Sequence, residues 1–148
     1  MNLKPLVMIP TYNEALSIGT VIEAVLELSP DIELLVIDDN SPDQPATGVK
    51  NLYSPRVHLL HRDRKSGLGS AYRAGFAWAH DRPTFSHYVT MDGDGSQRPH
   101  DLAALIARAE NVDVVMSSRL MPGGALENWP KYPQPPPRLD TVSDRTPL

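Results

Sequence analysis

Five short runs of apolar and β-forming residues, Leu6 to Ile9, Leu34 to Ile37, Val57 to Leu60, His87 to Met91 and Val112 to Met116, alternate with segments of helical period. Ile18, Val21, Ile22, Val25 and Leu26 make one apolar stripe, and Leu68, Ala71, Tyr72, Gly75, Phe76 and Ala79 make a second. Leu102, Leu105, Ile106 and Ala109, behind Pro99 in a first turn, make a third. Apolar runs of this length are strands covered on both sides, and strands that alternate with helices form parallel crossovers. The expected fold is therefore α/β: a mostly parallel sheet with helices on both faces.

In such sheets ligands bind beyond the carboxyl ends of the strands. The polar residues of this chain collect there: Thr11 to Glu14 after the first strand, Asp38 to Asp43 after the second, Asp92 to Ser96 after the fourth, and Ser117 to Arg119 after the fifth. Beyond Trp129 the pattern stops, and Pro130, Pro133, Pro135, Pro136 and Pro137 crowd a stretch without helical or strand period. Residues 1–130 are expected to form one folded domain, and 131–148 a disordered, proline-rich tail.

A chain of 148 residues suits a single domain, and its net charge of -4, with Lys and Arg scattered, argues against a nucleic-acid partner. With no cysteine, a metal is left to oxygen or imidazole ligands. The five histidines show no metal-ligand spacing. No signal-peptide pattern precedes Leu6, and no run approaches the roughly 18 apolar residues of a spanning helix. The expectation is a cytoplasmic chain whose membrane contact is peripheral.

Asp92-Gly93-Asp94 is the strongest candidate constellation. Carboxylates at i and i+2 of an extended backbone face the same side and can share one cation, and Gly93 admits a ligand close to the backbone. A divalent ion held this way keeps positions for water and nucleotide phosphates. The same composition also makes a solvated turn. The acids Asp38 and Asp39 offer acceptors for ribose hydroxyls or a base, or else an Asx turn with Asn40 and Ser41. Tyr12 is either a stacking platform or a core-edge residue, and Arg119 either a fork for a diphosphate or a surface charge. Gly67-Leu68-Gly69 follows the third strand, not the first, so a dinucleotide fingerprint is excluded, and no phosphate-binding loop of the GxxxxGK[ST] type is present.

IPTYNE (Ile9 to Glu14), VIDDNSPD (Val36 to Asp43), HRDRKSGLGSAYRAGF (His61 to Phe76), MDGDGSQRP (Met91 to Pro99) and SSRLMPGGALENWP (Ser117 to Pro130), in this order, resemble the dolichol-phosphate mannosyltransferases, and most closely the bacterial polyprenol-phosphate mannose synthases. That resemblance implies an inverting family 2 glycosyltransferase with a GT-A nucleotide-diphospho-sugar transferase fold, incomplete at the C-terminus. It implies GDP-mannose as donor and a polyprenyl or dolichyl phosphate at the cytoplasmic face of a membrane as acceptor, and it leaves a membrane-anchoring partner open. Pro10, Tyr12, Glu14, Ile37 and Asp39 would line the nucleotide pocket. Asp92, Gly93 and Asp94 would meet the diphosphate through Mg or Mn, and Arg119 would bind the donor, so that Asp92, Asp94 and Arg119 carry the catalytic role.

The resemblance also marks departures. Gly93 stands where alanine is usual between the two aspartates, and Ser96 where some members have a glutamine metal partner. Residues 131–148 match none of the family's continuation, which carries the acceptor side. Donor binding without turnover is therefore expected. The alternatives are a related family 2 transferase using another nucleotide sugar such as UDP-glucose, and an inactive nucleotide-binding remnant.

Overall fold

The computed structural model describes residues 3–43 and 54–118. Four strands form one sheet: β1 (Pro5–Thr11), β2 (Glu33–Asp38), β3 (Val57–His61) and β4 (His87–Thr90), in the spatial order β3-β2-β1-β4. Every neighbouring pair is parallel, with Met8 opposite Leu35 and Thr90, and Val36 opposite Leu59. Helix α1 (Ala15–Leu26) joins β1 to β2, α2 (Leu68–His80) joins β3 to β4, and α3 (Pro99–Arg108) follows β4 and ends in a 3₁₀ turn, Ala109–Asn111.

The two interior strands explain why the apolar runs read as buried. Alternate residues point to opposite faces. Val7, Ile9, Leu34 and Val36 pack under α1 and α3 against Ile18, Ile22, Val25 and Leu102. Leu6, Met8, Leu35 and Ile37 pack on the other side against Ala71 and Ala79 of α2. Each large aliphatic side chain taken from water here contributes about 1.5–3 kcal/mol. Gly75 sets how closely α2 lies on the sheet, since a Cβ there would stand 2.7 Å from Ile37 Cδ1 and 2.9 Å from Met8 Sδ.

The strand expected over Val112 to Met116 does not form. Residues 112–118 pair with no strand, and Val112, Val114 and Met116 are 50%, 75% and 81% exposed. An apolar run becomes a strand only where a neighbour supplies hydrogen bonds and cover, and among the described residues none flanks β4 on its outer side. Arg119 and the tail expected over 131–148 lie outside the described residues. No helix among the described residues is long and apolar enough to cross a membrane.

Candidate functional site at the strand ends

The strand order reverses between β1 and β4, which makes their carboxyl ends the switch point of the sheet. Pro10 opens it. Met8 O accepts the Met91 N–H at 3.1 Å, so even-numbered residues of β1 direct their backbone groups toward β4. Pro10 shares that direction, but β4 pairs with β1 only as far as Thr90, opposite Met8. The N–H that proline lacks is thus missing where the ladder has already ended, and the strands part there.

The loops beyond the strand ends are tied to one another. Asn13 and Asn40 take left-handed backbones, φ 60° and 58°, which asparagine tolerates better than most residues. The Ser41 hydroxyl accepts the Asn13 N–H at 3.3 Å, and Asp43 Oδ2 accepts the Ala15 N–H at 2.9 Å, capping α1 from a distance. Thr11 O accepts the Asp39 N–H at 3.2 Å. Asn40 donates from Nδ2 to Asp63 O at 3.0 Å, joining the loops after β2 and β3.

The acids ending β2 face the basic pair ending β3. His61 lies in register opposite Asp38, and its Nδ1 is 2.9 Å from Asp38 Oδ2, while Asp38 Oδ1 accepts the Ser41 N–H. Arg62 donates from one guanidinium nitrogen to Asp39 Oδ1 at 2.5 Å and from another to the Ser70 hydroxyl at 2.7 Å. The Ser66 N–H approaches Asp39 Oδ2 at 3.4 Å. A cavity of about 370 Å³ opens beside this pair, lined by His61, Arg62, Asp63, Arg64, Ser66 and Ser70. From the same loop, the Lys65 ammonium sits 3.8 Å from the centroid of the Tyr12 ring, occupying a face that a base would need.

At the end of β4 the acids are locally held, Asp94 exposed and Asp92 half-buried. Gln97 donates to Asp92 Oδ2 at 3.1 Å, and Asp94 Oδ1 accepts the Ser96 N–H at 2.8 Å. That backbone N–H holds the Asp94 carboxyl below the usual aspartate range, so it stays ionised. Burial pushes the Tyr72 hydroxyl up to about 12, the charge of Asp92 adds to the rise, and Thr90 opposes it; α2 therefore brings a neutral hydroxyl beside Asp92.

Gly93 is buried, and the space on its Cβ side is filled by protein. A Cβ at Gly93 would meet Glu14 Oε2 at 2.6 Å, and Ile18 Cδ1 and Ile9 Cγ2 at 3.3 Å. Its glycine serves close packing of the loop on β1 and α1, where the Ser17 hydroxyl donates to Gly93 O at 3.0 Å. Glu14 Oε2 and Thr11 Oγ1 are buried with no hydrogen-bond partner among the described residues. Burial raises the Glu14 carboxyl above the ordinary glutamate value, Asp94 and Asp92 add to this, and Thr11 and the Tyr12 backbone oppose it.

Pro10, Tyr12, Glu14, Asp39, Asp92, Gly93 and Asp94 thus gather at the carboxyl ends of β1, β2 and β4. Ile37 is fully buried under α2, so a ligand could meet only its backbone. Sequence reasoning passed over Arg62, Ser70, Gln97, Ser17 and Tyr72. In the sequence, only the adjacency of HR to the end of the third strand, opposite the DD ending the second, hints at the pairing of His61 and Arg62.

The two acids after β4 can be tested for a divalent ion. Among the described residues no group of three or more His, Asp or Glu gathers to cage one. Asp92 and Asp94 each spend one oxygen on a neighbour, leaving the other open at the crevice. Such a pair fits an ion that is completed by water and phosphate oxygens.

The four strands and their helices make a parallel α/β sheet with an acid pair at its switch point. The chain belongs to glycosyl transferase family 2, whose model matches residues 6–146, so the match runs on into residues 131–146, which were expected to match none of the family. It is 41% identical to an undecaprenyl-phosphate mannosyltransferase of Micrococcus luteus, over 86% of this chain and 53% of that protein. It is 40% identical to the polyprenol monophosphomannose synthase of Mycolicibacterium smegmatis, over 86% of this chain and 49% of the relative. A dolichol-phosphate mannosyltransferase of Pyrococcus furiosus is 33% identical, over 88% and 37%. The chain spans about half the length, or less, of these relatives. The fold is GT-A: a mannosyltransferase from Pyrobaculum calidifontis, solved in complex with GDP-Man and Mn2+, superposes with a TM-score of 0.60 at 20% identity, covering 73% of this chain and 32% of that one.

Proposed function

We propose that this chain carries the donor side of a transferase that moves mannose from GDP-mannose to a polyprenyl phosphate with inversion, at a membrane surface. The observation that carries the reading is the acid pair Asp92 and Asp94 at the crevice between β1 and β4, each with an oxygen left open. The names of the relatives favour mannose over another sugar, and the Mn2+ in the structural neighbour supports a divalent ion.

In this reading Tyr12, Glu14 and Asp39, with the backbone at Pro10 and Ile37, receive the nucleoside, and Asp92, Gly93 and Asp94 face the diphosphate. Tyr12 must then lose Lys65 from one face, which frees an ammonium near the phosphates. Mg or Mn held by Asp92 and Asp94 would supply charge neutralisation for the departing diphosphate. The Asp94 carboxylate, kept ionised by the Ser96 N–H, is ready to bind it. Arg119 adds a second neutralising charge.

The attacking group is a lipid phosphate oxygen. A phosphate monoester has a second pKa near ~6, so it is largely ionised at neutral pH and requires no strong general base. The residues gathered at the strand ends are therefore asked to bind and orient, not to abstract a proton. Catalysis then reduces to holding two phosphates in line and stabilising the one that leaves. A membrane-anchoring partner would bring the lipid to this face.

Calorimetric titration of GDP-mannose, with Mn and then with EDTA, tests the reading. Binding that weakens at least tenfold on chelation supports it, and binding indifferent to EDTA contradicts it.

A further inference from the structure

Arg62 has no place in the donor pocket as drawn above, yet its charge is nearly out of solvent: its side chain is 15% exposed and that of Asp39, its partner, 8%. A charge pair so buried contributes little net stability, because the desolvation of both groups offsets their attraction. What it does supply is geometry. The guanidinium is a rigid fork, and here its two ends go to different elements: Asp39 beyond β2 and Ser70 in the first turn of α2. The Arg62 N–H also donates to Asp38 O at 2.8 Å, which fixes the base of the side chain.

A carboxylate has about four acceptor sites on its two oxygens. In Asp39 one is taken by Arg62 and another is approached by the Ser66 N–H, both from the β3 side. The remaining acceptor sites are left for a diol or a base N–H. Asp39 without the fork would retain its charge but lose its bearing.

We propose that Arg62, braced by Ser70, is a positioning residue that holds the Asp39 carboxylate in the orientation that reads the nucleoside of the donor; this rests on the donor reading above. Arg62 touches no part of the ligand. Lysine is a poor substitute, because a single ammonium on a flexible stem cannot hold both Asp39 and Ser70 in one plane.

The full chain is titrated by calorimetry with three probes: GDP, guanosine, and pyrophosphate with Mn. Arg62→Gln and Arg62→Lys are expected to weaken GDP and guanosine by the same factor, roughly tenfold for Gln, the scale of one charged hydrogen bond, and to leave Mn-pyrophosphate unchanged. A merely structural role would weaken all three probes alike. In Asp39→Ala, adding Arg62→Gln should cost nothing more, because the fork then has nothing to aim. Circular dichroism checks folding. Should Arg62→Gln not fold, Ser70→Ala, which keeps the ion pair and removes only the brace, should show the same pattern at smaller size.

If Asp39→Ala weakens GDP while Arg62→Gln and Ser70→Ala bind like the parent, the positioning role is overturned and the donor reading stands. Additive losses in the double variant overturn it as well. If Asp39→Ala itself binds GDP like the parent, the donor reading fails and takes this proposal with it.

Discussion

Two acid pairs stand at strand ends of this sheet, and they are built in opposite ways. Asp38 and Asp39 end an interior strand; both are buried, and each meets a basic residue from β3 some 23 positions along the chain. Asp92 and Asp94 follow β4, which is an edge among the described residues, and they are held only by Gln97 and Ser96 from their own loop. The first pair is fixed, with Asp39 matched by the Arg62 charge; among the described residues the second pair meets no basic side chain. A rigid acceptor suits the reading of a nucleoside, whereas an acid pair that is incompletely satisfied suits an ion arriving with the phosphates.

The largest effect that would break this comparison is on stability. Asp39→Ala strands the Arg62 guanidinium in a place with little water, and should lower the unfolding free energy in urea by about 3 kcal/mol. Asp94→Asn alters an exposed loop and should stay within about 0.5 kcal/mol of the parent. Equal losses at the two positions would remove the distinction.

Next in size is Gly93→Ala. The new methyl would meet Glu14 Oε2 and the ends of Ile18 and Ile9, and a cost of about 1–2 kcal/mol in thermal or urea unfolding is expected. Paired with Glu14→Ala, which vacates the closest contact, most of that cost should vanish.

Glu14 sharpens the comparison through pH. Burial first, and then the nearby Asp94 and Asp92, raise its folded-state pKa above the unfolded value, so the folded state binds a proton more tightly than the unfolded chain. Its contribution is therefore most favourable below the unfolded glutamate pKa and is lost as pH rises through the folded one. Glu14→Gln should accordingly flatten the decline of stability from mildly acid to neutral pH. An unchanged pH profile would show that the carboxylate is better solvated than its surroundings indicate.

The smallest effect belongs to Lys65→Met, which removes the cation from the Tyr12 ring. A loss of about 0.5–1 kcal/mol in stability is expected. If Lys65 competes with a base for that ring, guanosine affinity should rise while stability falls.

The fold was legible because its determinants are local. The runs Leu6 to Ile9 and Leu34 to Ile37 are apolar at every position, which only two-sided burial explains, and the stripe from Ile18 to Leu26 keeps helical spacing throughout. Val112 to Met116 carries the same pattern without the same outcome, since pairing depends on a neighbour that the run itself cannot encode. The acids of the site were visible as residue types at strand ends. Their partners were not, because Arg62 meets Asp39 and Ser17 meets Gly93 across separations of 23 and 76 positions. The packing on the Cβ side of Gly93 is hidden from the sequence for the same reason, since it comes from Ile9 of β1, Glu14 and Ile18 of α1.

The division of labour between the two acid pairs can be measured directly by following Mn2+ in the presence of saturating GDP by electron paramagnetic resonance. By this account the parent chain and Asp39→Ala both take up Mn2+ once GDP is saturating, Asp39→Ala needing more GDP to reach that point. Asp94→Asn should leave the ion free in solution at every GDP concentration. Mn2+ uptake by Asp94→Asn equal to that of the parent would contradict the account.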